Sequence, residues 1–494
     1  MRLFAIPTED EWFFTGIVLF LVVMMIAAAE LVRRLMYGNS EVTRKLVHVI
    51  AGILMAFAPS VFHSGIPALL LSFLAIIGTF IAVRFGLLQS LHDTERTSYG
   101  TTYHPMAFFI LVLAFWEHAP QILTAAILIL AVPDALAAIV GRSVRTPHVF
   151  SFSTDRKTVE GSATMFIATT VCVGSFLSYH GYVTTYPYAV IALVTATVVT
   201  AWELVCTRGL DNLSVPLSAA FMLDLFLRPV PVHDPAQMIT ALFLAAAIGI
   251  VSYRFQFLSP NGSVATFLLA VLIYGIGGWM WTVPILTFFI ASSLLSKYGK
   301  ARKRKLERVF DKTDKRDSGQ VAANGGVAGA FMLAWYIFPG ETWMYPCYIA
   351  SVAAVTADTW GTEIGTLMKG KPRSIITFRK VDIGTSGGIS PAGLAGGAAG
   401  AALVSGTAML FLGDTAAPML LLSLIVSGVV GSLIDSLLGA TVQAQYRTAS
   451  GKLTERTVVD GVPTTLVRGY RWVTNDVVNW CCGAAGAGTM YLLL

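Results

Sequence analysis

Residues 345–366 read Tyr345-Pro-Cys-Tyr-Ile-Ala-Ser-Val-Ala-Ala-Val-Thr-Ala-Asp358-Thr-Trp-Gly-Thr-Glu363-Ile-Gly365-Thr366. A run of this length and apolarity suits a helix crossing a bilayer, which takes about 17–25 residues. Yet it carries two carboxylates. A charged side chain deep in such a helix costs roughly 2.5–3.5 kcal/mol, so it is usually kept for a task. In a helix Asp358 and Thr362 stack four apart, as do Thr359 and Glu363, giving two adjacent polar stripes. Gly361 and Gly365 share the Asp358 side and let another backbone or a ligand approach closely. The stretch predicts a membrane helix with something polar held against it.

The rest of the chain extends this reading. Of 494 residues, 55% are hydrophobic and 13% charged, with mean hydropathy +0.70. Soluble domains carry about 25% charged residues, so the composition excludes a soluble globular protein. Sixteen candidate spans recur near 12–32, 45–62, 66–83, 105–117, 120–140, 160–179, 187–206, 212–227, 237–252, 263–279, 281–296, 321–338, 345–366, 391–411, 417–439 and 474–493. Those at 105–117 and 212–227 are short enough to be re-entrant or interfacial. The first follows an acidic start (Glu9, Asp10, Glu11) with no basic leader or small-residue cleavage site, so a retained anchor is expected. The fold class predicted is all-α: a polytopic integral membrane protein of about 14–16 transmembrane helices in two non-identical bundles.

Alternating these spans with the N-terminus outside puts every Lys and Arg except Arg2 and Arg228 on or beside one set of connections. The positive-inside rule then predicts both termini outside and the basic face in the cytoplasm, in a bacterial inner membrane. The net charge of +6 is read as this topology signal, with no nucleic-acid partner. Its densest part, Lys297 to Arg316, reads first as a stop-transfer loop and second as a contact for anionic lipid or nucleotide phosphate. Five cysteines without metal-ligand spacing read as reduced thiols. All eight histidines precede residue 234, which leaves the second half with oxygen ligands.

Three prolines between Phe226 and Ile239 mark a linker, giving expected domains 1–230 and 231–494. In the first, polar residues gather at one end of the spans: Arg44, Lys45 and His48; Asp134; Lys157, Thr158 and Glu160; Glu203; Asp211 and Asn212. Singly each has a plainer explanation, such as a helical Lys157–Glu160 pair or an N-cap at Asp211. In the second, Asn324 enters span twelve, and a loop Gly384-Thr385-Ser386-Gly387-Gly388 offers hydroxyls and backbone N–H groups suited to phosphate. Asp435 stands between glycines four residues away on both sides, and the last span opens with Asn475, Asp476 and Asn479. Asp358, Glu363, Asp435 and Asp476, all without histidine or cysteine company, suit Mg²⁺, which takes oxygen ligands and shares them with substrate phosphates. Such parts serve phosphoryl transfer, where catalysis is mostly positioning and charge neutralisation.

The first half resembles the dolichol kinase/phytol kinase family, and more distantly the phosphatidate cytidylyltransferases. RKLVH (44–48), PDALAAIVG (133–141), RKTVEGS (156–162), Glu203 and DNLSVP (211–216) carry the likeness, with Pro133 standing where that family has glycine. The second half resembles the phytyl-phosphate kinase family through DSGQVAANGG (317–326), ADTWGTEIG (357–365), GTSGGIS (384–390), GSLIDSLLGAT (431–441) and NDVVN (475–479). These resemblances imply a bifunctional prenol salvage kinase, making first the monophosphate and then the diphosphate of a prenol such as phytol or geranylgeraniol. They imply CTP or another NTP as donor, Mg²⁺ as cofactor, and prenol, prenyl phosphate, nucleotide and membrane lipid as partners. Catalytic roles would fall to Asp134, Lys157, Glu160, Asp211, Asn212, Asp358, Glu363 and Asp435. Substrate or nucleotide contacts would fall to Arg44, Lys45, His48, Thr158, Glu203, Asn324, Thr385, Ser386, Asn475 and Asn479. Metal would be held by Asp358, Glu363, Asp435 and Asp476. The alternatives are a cytidylyltransferase acting on a lipid phosphate and a membrane transporter.

Overall fold

A computed structural model describes residues 2–36, 40–87, 98–150, 155–228, 234–298, 315–368, 370–412, 418–459 and 461–494. Every span read from the sequence is helical in it. Packing divides the chain into two compact units, Met1–Pro231 and Val232–Leu494.

The first unit holds α1 (Glu9–Met36), α2 (Ser40–Ala56), the single turn α3 (Ala58–Val61), α4 (Ile66–Phe85), α5 (Gly100–Phe115), α6 (Pro120–Ala131), α7 (Pro133–Ser143), α8 (Val159–His180), α9 (Tyr188–Val205) and α10 (Asp211–Leu227). Its core is α6, whose residues from Ile122 to Ala131 are almost all buried, with α2, α5, α7, α8 and α10 around it. Local chemistry sets the ends. Pro120 and Pro133 open helices where a missing N–H costs nothing. Thr158 caps α8 by accepting the Gly161 N–H, and Gly86 and Gly181 end α4 and α8 in the left-handed conformation.

The second unit holds α11 (Pro235–Arg254), α12 (Pro260–Lys297), α13 (Ser318–Ile337), α14 (Met344–Leu367), α15 (Pro391–Met409), α16 (Pro418–Thr441) and α17 (Asn475–Leu493). Two predicted spans merge in α12, which bends at Gly278 (φ 60°, ψ −155°), a backbone state open to glycine alone. Helix α14 is the axis of this unit: it packs on α12, α13, α15, α16 and α17, and every residue from Met344 to Ala357 except Pro346 is buried.

Short strands decorate this helical frame, a feature the sequence reading did not anticipate. β1 (Arg373–Ser374) pairs antiparallel with β2 (Gly388–Ile389). β3 (Gln445–Arg447) lies between β4 (Leu453–Thr454) and β7 (Thr465–Arg468), both antiparallel to it, and β5 (Val458–Val459) pairs with β6 (Val462–Pro463).

Among the described residues, nine helices are long and apolar enough to cross a membrane, fewer than the 14–16 expected. The difference has physical causes. The kinked α12 counts once, α2, α5 and α10 are short, and α13, α14 and α17 interleave their apolar residues with glycine and polar side chains.

Candidate functional site

In the second unit a cavity of about 320 Å³ opens against the later half of α14. Small residues bring its walls together. A Cβ on Gly361 would meet the Gly393 carbonyl at 3.2 Å, and one on Gly397 would meet the Ala357 carbonyl at 2.9 Å, so α15 lies against α14 backbone to backbone. Gly431 of α16 and Gly486 of α17 close on Ala354, where added Cβ atoms would stand 2.5 and 2.6 Å from its own. The glycine ridge predicted at Gly361 and Gly365 is thus a packing surface, and it leaves the carboxylate-bearing face toward the cavity.

Asp358, Thr362 and Glu363 line the cavity from α14, Asn324 from α13, Asp435 from α16 and Asn475 from α17. Thr385 and Ser386 line it from the loop before β2, whose Gly384 and Gly387 adopt φ of 89° and 81°. A Cβ on Gly387 would lie 2.3 Å from that of Ala440, so only glycine lets the loop seat on α16. Ser296 Oγ donates to Glu363 Oε1 (2.8 Å), and Ser386 Oγ donates to Glu455 Oε1 (2.7 Å). Two predicted residues lie elsewhere. Asp476 does not line the cavity; its Oδ2 sits 2.9 Å from where a Cβ of Gly319 would be. Asn479 is buried behind the wall and donates through Nδ2 to Asn324 Oδ1 at 3.4 Å.

Sequence reasoning missed Lys297, Arg316, Gln320, Gln443 and Glu455, which also line the cavity. Lys297 Nζ donates to the Phe255 carbonyl and stands 4.0 Å over the Phe257 ring. Arg316 is enclosed; burial pulls its guanidinium down to about 10. The basic run from Lys297 to Arg316 reads in the sequence first as topogenic and second as a contact for anionic lipid or nucleotide phosphate, and its residues 299–314 lie outside the described ones. Glu455 enters from the turn after β4, where Gln443 Nε2 also donates to it (3.0 Å).

For a metal, the donor set is hard oxygen throughout: no His or Cys lines the cavity. Among the described residues no three His, Cys, Asp or Glu side chains converge as a ready-made metal site. Asp358, Glu363 and Asp435 therefore fit a divalent ion that takes only one or two protein carboxylates and fills its shell from phosphate and water. They do not fit an all-protein cage.

The first unit gathers a polar cluster at the start of α8. Lys157 Nζ donates to Glu203 Oε1 (2.6 Å) and Asp211 Oδ2 (3.0 Å), and Ser162 Oγ donates to Glu203 Oε2 (3.4 Å). Lys45 Nζ donates to Asp134 Oδ2 at 2.5 Å, with His48 Nε2 3.8 Å from the same oxygen. Lys157 also acts electrostatically on Asp134, so the two sets form one charged network. Burial alone would lower the Lys157 ammonium, but Asp211 and Glu203 outweigh it and hold it above lysine's ordinary value.

Not every predicted residue joins. Glu160 turns to His148, accepting its backbone N–H at 3.1 Å with the ring Nδ1 at 2.7 Å, so no Lys157–Glu160 pair forms. Asn212 donates from Nδ2 to the Gly209 carbonyl (3.2 Å) and holds the turn before α10. Thr158 caps α8, Asp211 opens α10 just after its cap Leu210, and the Arg44 side chain lies outside the described residues.

The geometry defines a polytopic helical membrane protein with a buried ion-paired cluster in one unit and an oxygen-lined cavity in the other. Residues 243–487 match the family described as "Integral membrane protein DUF92". The chain is 32% identical over 276 residues to Protein PGR of Arabidopsis thaliana, covering 49% of this chain and 91% of that one. It is 34% identical over 221 residues to the phytol kinase of a Synechocystis species (43% of this chain, 90% of that one). It is 30% identical over 204 residues to an uncharacterized membrane protein of Methanocaldococcus jannaschii (41% and 82%). No solved structure gives a significant match. The chain belongs to the DUF92 family of integral membrane proteins through its second unit.

Proposed function

We propose that this protein is a membrane-embedded prenol kinase of two steps, the first unit making a prenyl monophosphate and the second converting it to the diphosphate. The similarity to a phytol kinase supports the class of reaction. The observation that carries the second site is the cavity itself, lined by six helices, α12 to α17, and the segments that connect them, where carboxylates, hydroxyls and two cations meet.

In the first step the prenol oxygen attacks the γ-phosphorus of CTP or another NTP, and the bond to the nucleoside diphosphate breaks. The hydroxyl proton passes to Asp134, with Lys45 compensating the carboxylate beforehand. Two N–H groups of Lys157 go to Glu203 and Asp211, leaving the third for a phosphate oxygen. In the second step an oxygen of the monophosphate attacks the γ-phosphorus of a second NTP and the bond to the nucleoside diphosphate breaks; this oxygen needs no base, since it is already ionised at neutral pH. Lys297 and Arg316 offset phosphate charge, while Thr385 and Ser386 orient the donor. One or two of Asp358, Glu363 and Asp435 would hold Mg²⁺, which would supply charge neutralisation to the phosphates.

The test is to incubate membranes containing the protein with phytol, geranylgeraniol or farnesol, Mg²⁺ and each NTP labelled at α or γ. Mono- and diphosphates labelled from the γ position alone are expected. Label from the α position would mean nucleotidyl transfer and would overturn the kinase reading.

A further inference from the structure

Arg316 is the enclosed cation of the second unit that the predicted site never used. Its backbone is pinned: its N–H donates to the Phe257 carbonyl (3.1 Å), and its carbonyl accepts the Ser259 N–H (3.0 Å) and Ser259 Oγ (3.1 Å). Gly262 makes room for this carbonyl, since a Cβ there would stand 2.2 Å from it. The side chain then runs between two phenyl rings, its guanidinium carbon 5.5 Å from the centre of Phe288 and 5.9 Å from that of Phe289. Among the described residues its polar side-chain contact is long, Nη1 to Ser293 Oγ at 3.4 Å. Among the described residues no carboxylate pairs with it. An enclosed guanidinium held in place with no described carboxylate beside it is a site for an anion, and its planar fork suits phosphate.

Its position says which anion. Arg316, Gln320 and Asn324 line the polar cavity and also a second, apolar recess of about 80 Å³ whose walls include Leu269, Ile273 and Phe289. Phosphate on one side of Arg316 and hydrocarbon on the other is the pattern of a lipid phosphate. A recess this small takes the unit of the tail next to the phosphate, with the remainder beyond it. We infer that Arg316 anchors the acceptor, a prenyl monophosphate, with its phosphate in the polar cavity and its first isoprene unit in the recess between α11, α12 and α13.

This rests on the second-step reading but is tested by binding alone. The full chain in lipid nanodiscs is titrated with geranylgeranyl monophosphate, geranylgeraniol, inorganic phosphate and a non-hydrolysable CTP analogue, without turnover. Arg316→Gln should weaken the monophosphate at least 30-fold, Arg316→Lys by less, and both should leave the CTP analogue within threefold. Loss of CTP-analogue affinity with the monophosphate unchanged would overturn the inference, since the anion would then be the nucleotide's phosphate. So would equal binding of monophosphate and alcohol by the unaltered protein. Should Arg316→Gln fail to fold, photocrosslinking decides with the unaltered chain: a monophosphate bearing a diazirine on its first isoprene unit should label Leu269, Ile273 or Phe289. Labelling confined to other helices would refute it. Unaltered binding with no diphosphate formed from any NTP would sink the kinase reading and leave the anchor standing.

Discussion

Removing the Lys157 ammonium tests the first unit's network most sharply. In Lys157→Met the side chain keeps its bulk, but Glu203 and Asp211 lose a shared partner. Those side chains are 9% and 18% exposed, and Lys157 is 13% exposed, so water replaces little of what is lost. A surface pair would matter by about 0–1 kcal/mol, whereas stripping one partner from a buried pair costs about 3–5 kcal/mol. The larger figure applies here. Against a typical stability of about 5–15 kcal/mol it is a large share. For a unit of this size each kcal/mol moves the midpoint by roughly 2–4 °C, so a fall of about 6–20 °C is expected. The assay is thermal unfolding of the purified chain in detergent, followed by circular dichroism. Adding Glu203→Gln removes one stranded charge and should recover at least about a third of the loss. A single variant within about 3 °C of the unaltered protein, or a double variant no better than the single, would refute the buried-network account.

Three further outcomes follow from the same geometry. Because Asp211 and Glu203 raise the Lys157 value in the fold, its stabilisation is fully present below lysine's ordinary value and fades only as pH rises past it, about 10.4. The melting difference between the unaltered protein and Lys157→Met should therefore hold constant from pH 6 to 9. Gly431→Leu should lower stability by about 1–3 kcal/mol, because even a Cβ would lie 2.5 Å from Ala354 and 2.7 Å from the Cys482 carbonyl; a melting scan checks it. Glu455→Gln keeps the shape of the turn after β4 but weakens its hold on Ser386 and Gln443, so donor affinity in the second step should fall severalfold with thermal stability within about 1 kcal/mol, read by steady-state kinetics and melting in parallel.

The helical frame was open to sequence reasoning because hydropathy over about twenty residues is a strong signal and helix ends follow proline, glycine and capping side chains. The charged clusters were legible for the same reason: in a span, Asp358, Glu363 and Asp435 stand out by cost alone. Partners were not legible. Spacing offers Lys157 a plain alternative partner in Glu160, yet Glu203 and Asp211, 46 and 54 residues away, take it. Such choices depend on how helices pack, which periodicity does not encode. Glu455 stayed hidden because strands of two to four residues carry no readable alternation. Arg316 hid inside a run of basic residues where one enclosed guanidinium looks like any topogenic charge.

The most direct measurement separates the two steps in one chain. With geranylgeraniol, γ-labelled CTP and Mg²⁺, Asp358→Asn should accumulate labelled monophosphate and make almost no diphosphate. Asp211→Asn should make neither product until geranylgeranyl monophosphate is supplied, which restores the diphosphate. Diphosphate formed at the unaltered rate by Asp358→Asn, or a block in Asp211→Asn that added monophosphate fails to bypass, would contradict the assignment of one step to each unit.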